Sequence, residues 1–176
     1  MKKILLVIDY QNDFVKGPLG FSKAVELEDT IAEKIDLYRK NGDEVAFTFD
    51  THNEDYLTTQ EGRNLPIPHC IKGSDGWNLY GKVAERYLKT DVSFEKNSFG
   101  STELLNYLAK NNYDSVELVG VVSNICVLSN AVLAKTALPE SLVLVDASCT
   151  ASNDEKLNEE ALDIMESIQV KVINRA

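Results

Sequence analysis

The sequence is short of the side chains on which most protein chemistry relies. Among 176 residues there are two histidines, His52 and His69, three cysteines, Cys70, Cys126 and Cys149, and one tryptophan, Trp77. No C-x-x-C pair occurs, which removes zinc ribbons and thioredoxin-type redox motifs. An odd number of cysteines without framework spacing reads as reduced thiols. Basic charge is also scarce: 18 Lys and Arg stand against 28 Asp and Glu, a formal net charge of −10. That balance argues against nucleic acid or an anionic membrane as partner. No apolar run approaches the roughly 20 residues of a membrane span. Met1-Lys2-Lys3 is basic, but the apolar stretch 4–8 is too short for a signal-peptide core and meets Asp9 at once, so the expected location is cytoplasmic. There are no internal repeats, low-complexity tracts or linkers. The length fits one domain over residues 1–176, with ample chain for a full core.

What is present is a regular alternation. Residues 3–9 are a continuous apolar run ending in Asp9, as expected of a strand buried on both faces. Residues 10–20 read as a loop. Over 24–40 the apolar positions Val25, Leu27, Ile31, Ile35 and Leu37 predict a helix, stopped by Asn41-Gly42. A second strand, 44–50, again ends in an acid, Asp50. The stretch 51–90 is long and mixed, with short helices expected around Tyr56 and over 77–87; a loop this long inside a compact domain is usually functional. Strand 91–96 ends in Lys96, and a helix capped by Ser101 or Thr102 follows, stopped by Asn111-Asn112. Strand 115–121, a helix over 123–136, strand 141–147, a helix opened by the capping-box spacing Ser152-x-x-Glu155, and a short strand 170–173 complete the chain. The alternation predicts an α/β fold: a doubly wound, mainly parallel six-stranded sheet with helices on both faces. Ligands of such sheets sit beyond the carboxyl ends of the strands. Here those ends deliver Asp9, Asp50 with His52, Lys96 and Cys126 to one edge.

These residues have a joint chemistry. Cys126 follows an apolar run and opens a helical segment, where a helix dipole and unpaired N–H groups stabilise a thiolate and can receive an oxyanion. A buried structural cysteine is the alternative. A cysteine nucleophile needs a base. Asp50-x-His52 with His69 has ligand types suited to zinc, iron or manganese. If both histidines bind metal, Asp9 is the remaining base, with its pKa raised by burial. Lys96 would hold the Asp9 carboxylate and favour the thiolate. Singly, each has a plainer role: Asp9 as a cap or loop acceptor, Lys96 as a solvated charge, the histidines as polar surface. Glu61, between the histidines, is an added ligand or a solvated acid.

On these residues the chain resembles the isochorismatase-like cysteine hydrolases, and within them the nicotinamidase/pyrazinamidase group. The resemblance runs from I-D-Y-Q-N-D-F at 8–14 through Lys96 in E-K-N-S-F-G-S-T to G-V-V-S-N-I-C-V at 120–127. The stretch H-C-I-K-G from His69 also looks like that group. The resemblance implies a Rossmann-like three-layer sandwich and a catalytic set of Asp9, Lys96 and Cys126. It implies a cis peptide between Val121 and Val122, and an oxyanion hole of the Val122 and Cys126 N–H groups. It implies one divalent metal ion, zinc foremost and iron or manganese as alternatives, on Asp50, His52 and His69. Phe14 and Phe99 follow motif positions as walls of an aromatic slot, and Trp77 is the third expected wall, with ordinary core packing as its alternative. The implied reaction is hydrolysis of nicotinamide to nicotinate and ammonia through a thioester, with pyrazinamide also accepted and a homo-oligomeric state. The alternatives are another member of the class acting on a different small amide, a carbamoyl compound or isochorismate, and a non-catalytic binding module. Asn124, where many members carry an acid, and Tyr10 and Gln11 depart from the commoner pattern.

Overall fold

The computed structural model describes residues 1–176. Six parallel strands form one sheet: β1 (Lys3–Ile8), β2 (Glu44–Asp50), β3 (Val92–Lys96), β4 (Ser115–Val121), β5 (Leu142–Ala151) and β6 (Lys171–Ile173). The spatial order is β3-β2-β1-β4-β5-β6, with the switch in winding between β1 and β4. That is the doubly wound topology expected from the alternation. No helix is long and apolar enough to cross a membrane.

Side chains alternate across the sheet with period two. Ile4, Leu6 and Ile8 of β1 pack with α6 (Thr102–Asn111), α7 (Leu128–Ala137) and α8 (Glu155–Ser167) on one face. Leu5 and Val7 pack with α1 (Asn12–Val15), α2 (Ser22–Glu26), α3 (Glu28–Lys40) and α5 (Gly81–Arg86) on the other. Both faces of β1 are covered, which is why 4–8 reads as an unbroken apolar run; β4 is interrupted by Glu117, which is buried and accepts from the Tyr38 hydroxyl at 2.5 Å.

Several local expectations are corrected. The helix over 24–40 is two helices meeting at Leu27, and its buried stripe is Ala24, Leu27, Ile31, Ile35 and Tyr38, leaving Leu37 54% exposed. The 10–20 loop contains the single turn α1. The helix after β4 opens as a π-helical turn, Ser123–Val127, before α7 begins. β5 runs on to Ala151, past the expected end at 147. Between the pairs Leu118–Val145 and Gly120–Thr150, five residues of β5 span what two span on β4. The odd excess swaps its faces, so Val143 and Val145 face one core and Cys149 and Ala151 the other. The capping box is displaced: Asp154, not Ser152, accepts from the Leu157 N–H at 3.1 Å, while Ser152 Oγ accepts from the Asp154 N–H.

Two glycines show how tightly the centre is drawn. Gly120 in β4 sits at φ +111°, and a Cβ there would lie 2.1 Å from the Ile8 carbonyl oxygen. Gly42 ends α3 at φ +75° with nothing within 4 Å. Gly42→Ala is therefore expected to cost about 1–2 kcal/mol, the left-handed penalty alone. Gly120→Ala adds a clash with immovable backbone at the switch and should cost about 3 kcal/mol or more. Urea unfolding of both variants checks this; equal losses would show that the Ile8 contact exerts no constraint.

Candidate active site

β1 stops at Ile8 because the chain turns into a left-handed conformation at Asp9, φ +45°. The Asp9 N–H donates to both the carbonyl and the hydroxyl of Thr48, each at 3.2 Å. The Thr48 hydroxyl in turn donates to Asp9 Oδ1 at 2.6 Å. Asp9 Oδ2 faces Lys96 Nζ at 2.6 Å. Lys96, at the end of edge strand β3, is 6% exposed rather than solvated. Its ammonium donates to the Ser98 carbonyl at 2.9 Å, approaches Cys126 Sγ at 3.5 Å, and lies 3.7 Å from Asp50 Oδ1. Cys126 arrives from the π-helical turn after β4, and the Val121–Val122 peptide before that turn is cis. Asp9, Lys96 and Cys126, far apart in sequence, thus share one buried cluster at the carboxyl edge of the sheet.

Burial sets the electrostatics. It raises the Asp9 carboxyl; Lys96 pulls it down and Asp50 pushes it further up, and the net is a raised pKa. Burial would lower Lys96, but Asp9, Cys126 and Asp50 together hold it above its ordinary value, so it stays an ammonium. Burial and the Asp9 charge drive the Cys126 thiol well above its usual range, against the opposing pull of Lys96. The raised thiol fits the expectation that the cysteine needs a neighbouring base to take its proton. The arrangement pairs that thiol with a carboxylate whose proton affinity has been raised toward it.

The metal-type residues converge beside this cluster. Asp50 Oδ2 lies 3.1 Å from His52 Nε2 and 3.2 Å from His69 Nε2, with one donor atom from each residue inside a 4.8 Å group. Donors about 2.1 Å from a tetrahedral ion stand roughly 3.4 Å apart, so the three residues fit one divalent cation. His69 Nδ1 donates to the Ile67 carbonyl at 2.8 Å, which leaves Nε2 as the lone-pair nitrogen. Glu61 is not a remote solvated acid. Its Oε1 lies 3.7 Å from His52 Nε2 and 3.6 Å from His69 Nε2, the position of a fourth donor. Burial pushes Asp50 up, but bonds from both histidines and the charge of Lys96 reverse it, leaving the carboxyl well below its usual range.

Both clusters open into one cavity of about 230 Å³. Its walls include Phe14, Leu19, Phe21, Leu65, Phe99, Val122 and Ile125, with Asp50, Glu61, His69, Cys126 and Asn153 as its polar points. Phe14 and Phe99 stand where expected, Phe99 with 46% exposure at the rim. Trp77 does not join them. It packs 5.0 Å from Phe49 in a separate cleft, and its Nε1 donates to Thr51 Oγ1 at 2.9 Å, because the short helix Asp75–Trp77 directs it to the outer side of β2.

Sequence reasoning missed the supports. Gln11, wholly buried, donates to the Asp50 and Trp77 carbonyls at 2.9 and 2.8 Å and accepts from the Asp50 N–H at 2.8 Å. Asn130 donates to the Cys126 and Phe99 carbonyls and accepts from the Ser101 N–H, tying the cysteine turn to the cavity rim. Tyr56 packs 4.8 and 5.0 Å from the rings of His52 and His69. Thr48 is visible only in hindsight, as a polar side chain sharing Asp50's face of an otherwise apolar strand.

Comparison with known proteins agrees with this geometry. The family model for the isochorismatase domain matches residues 3–176. The isochorismatase family protein PncA of Bacillus subtilis is 36% identical over 143 residues, 75% of this chain and 78% of that protein. The nicotinamidase/pyrazinamidase of Mycobacterium tuberculosis is 26% identical over 189 residues, 97% of this chain and 98% of its own. The crystal structure of a pyrazinamidase/nicotinamidase from Streptococcus mutans superposes with a TM-score of 0.87 at 30% identity, covering 98% of this chain and 100% of that one. With the isochorismatase model matching residues 3–176 and a relative 36% identical over 75% of the chain, the chain belongs to the isochorismatase family.

Proposed function

We propose that this protein is a cysteine amidohydrolase that converts nicotinamide to nicotinate and ammonia, with pyrazinamide as a second substrate. The observation that carries the reading is the shared cavity: one small, largely apolar space meets the Asp9–Lys96–Cys126 cluster and the Asp50–His52–His69 group together. At about 230 Å³ it is smaller than the roughly 300–1,000 Å³ of sites for drug-sized ligands, and suits a single flat ring. The relatives named nicotinamidase support the substrate.

In this reading Asp9 takes the Cys126 proton, and the thiolate attacks the amide carbon. The N–H groups of Val122 and Cys126 receive the oxyanion. Collapse breaks the C–N bond as Asp9 returns the proton to the leaving ammonia, and a thioester remains. Asp9 then deprotonates a water that attacks the thioester; collapse releases nicotinate and restores the thiol. Lys96 stays protonated throughout and holds the Asp9 carboxylate against the sulfur. Asp50, His52 and His69, with Glu61 beside them, would hold one divalent cation, zinc foremost, and the bound ion would supply Lewis-acid chemistry at that end of the cavity. Phe14 and Phe99 flank the ring. Intact metal ligands separate this reading from family members that work without a metal.

Ammonia release from nicotinamide, with and without a chelator, tests the whole reading. Cys126→Ala is expected to abolish turnover while the far-UV spectrum and melting temperature stay near wild type; retained hydrolysis would end the mechanism. Asp50→Ala and His52→Ala should lose the metal and weaken nicotinamide binding, and Glu61→Gln should lower metal affinity by about 10- to 100-fold. Stoichiometric metal in all three would disprove the ligand set. The pH profile carries a further expectation. Asp9 must be ionised to accept the proton, and burial raises its pKa. The acid limb of kcat/KM should therefore lie above the ~3.9 of an ordinary aspartate, with activity lost as pH falls through the raised value. A limb at or below 3.9, with metal content constant across the range, would remove Asp9 as the base.

A further inference from the structure

Asp9 is the only side chain in the cluster able to accept a proton from the thiol, and a carboxylate has two oxygens and one free rotation. The structure assigns that rotation to Thr48: we propose that Thr48 is a positioning residue for proton transfer, its hydroxyl locking Asp9 Oδ1 so that Oδ2 faces Lys96 and the Cys126 thiol. The inference rests on the cysteine-hydrolase reading above and deepens it.

Three observations carry it. The contact is a closed loop: the Asp9 N–H donates to Thr48 Oγ1 at 3.2 Å and the same hydroxyl donates to Asp9 Oδ1 at 2.6 Å, so one side chain fixes both the backbone entry and the head group of Asp9. The division of oxygens is clean, with Oδ1 on the hydroxyl and Oδ2 on the ammonium at 2.6 Å. The hydroxyl also bonds outside its own chain segment. Thr51, just past the end of β2, bonds back to the Phe49 carbonyl at 3.0 Å. Thr48 instead reaches across to the end of β1, from a position that is 1% exposed and flanked by Val45, Ala46, Phe47 and Phe49. Valine branches at Cβ like threonine, lacks the hydroxyl and also suits a buried strand. Strand formation therefore does not require the hydroxyl, and both of its partners, the N–H and the carboxylate, belong to Asp9.

Without that donor Asp9 Oδ1 would be an unpaired anionic oxygen in a fully buried position. The carboxylate would turn to share both oxygens with Lys96, away from the sulfur. Substrate contacts are untouched, since Thr48 does not line the cavity. The effect should fall on kcat and on the reactivity of the thiol, not on KM.

The test compares Thr48→Val and Thr48→Ser with wild type, using nicotinamide turnover, metal content, and the rate at which iodoacetamide alkylates Cys126 without substrate. Thr48→Val is expected to lower kcat and the alkylation rate by about tenfold or more, with KM within about threefold and metal content unchanged. Thr48→Ser, which restores the hydroxyl, should recover most of both rates. Should Thr48→Val fail to fold, Thr48→Ala gives the same readout. Alkylation and kcat within about twofold of wild type in the valine or alanine variant would overturn the proposal, as would a serine variant no better than either. The alkylation arm separates this inference from the substrate assignment: a wild-type protein that alkylates readily at Cys126 but leaves nicotinamide intact sinks the assigned amide and leaves the Thr48 comparison decisive.

Discussion

The site depends on an ion pair that would be a poor investment for stability alone. Lys96 and Asp9 meet at 2.6 Å with side chains 3% and 0% exposed. Removing two charges from water costs several kcal/mol each, and their mutual attraction seldom repays it with a surplus. Here the pair sits against the sulfur of Cys126, whose thiol burial and the Asp9 charge push above its usual range. In the proposed mechanism the ammonium would be the positive charge that stabilises a transient thiolate, and the carboxylate the acceptor of its proton. Neither works without the other, since a lone buried carboxylate would be neutral and a lone buried lysine would lose its proton.

Bringing these groups together is a problem of topology, and the strand order solves it. In the order β3-β2-β1-β4-β5-β6 the run of four strands from the β3 edge to just past the switch leads in turn to Lys96, Asp50, Asp9 and the turn carrying Cys126. All strands are parallel, so all four ends fall on one edge. Adjacent strands lie ~4.8 Å apart, so a side chain from β3 can reach across β2 to β1 only if it is long. Lys96 is the longest of the four. The short residues, Asp9 and Cys126, come from the two strands flanking the switch. Gly120 lets β4 press against Ile8 at that point, where any side chain would force the strands apart.

How much of this was legible in the sequence follows from the range over which each feature is determined. Strand ends are legible where a largely apolar run meets an acid, as 44–50 does at Asp50, or a polar turn, as 115–121 does just before Ser123-Asn124. Asp9, Lys96 and Cys126 were legible because polar groups at such ends are few. The length of β5 was hidden, because an odd bulge reverses the alternation that marks a strand. Asp154 displaced Ser152 as the cap, since either side chain suits that role and only the exit path of β5 decides between them. Trp77 and Leu37 were misplaced for the same reason: their orientation is set by a short turn and a helix break that leave no periodic trace. Gln11, Thr48 and Asn130 act through hydrogen bonds to backbone and side chains 29 to 66 residues away, and nothing local to them announces such a bond.

The two central acids show why position alone does not set chemistry. Asp9 and Asp50 occupy equivalent places, one at the exit of each of two neighbouring strands, and both are almost wholly buried. Burial acts on them alike, raising both. What differs is the count of partners able to stabilise charge. Asp50 has two imidazoles on one oxygen, a lysine near the other, and its backbone clamped by Gln11, and it ends far below its usual range. Asp9 has one lysine and one hydroxyl, faces a thiol, and feels the negative charge of Asp50 itself; it ends raised. An acid that stays ionised suits a ligand, and an acid that can hold a proton suits a base, which are the roles proposed for Asp50 and Asp9. The negative charge of Asp50 is part of what lifts Asp9. Driving the two apart requires only that they be close enough to repel and surrounded unequally, which the register of β1 against β2 provides.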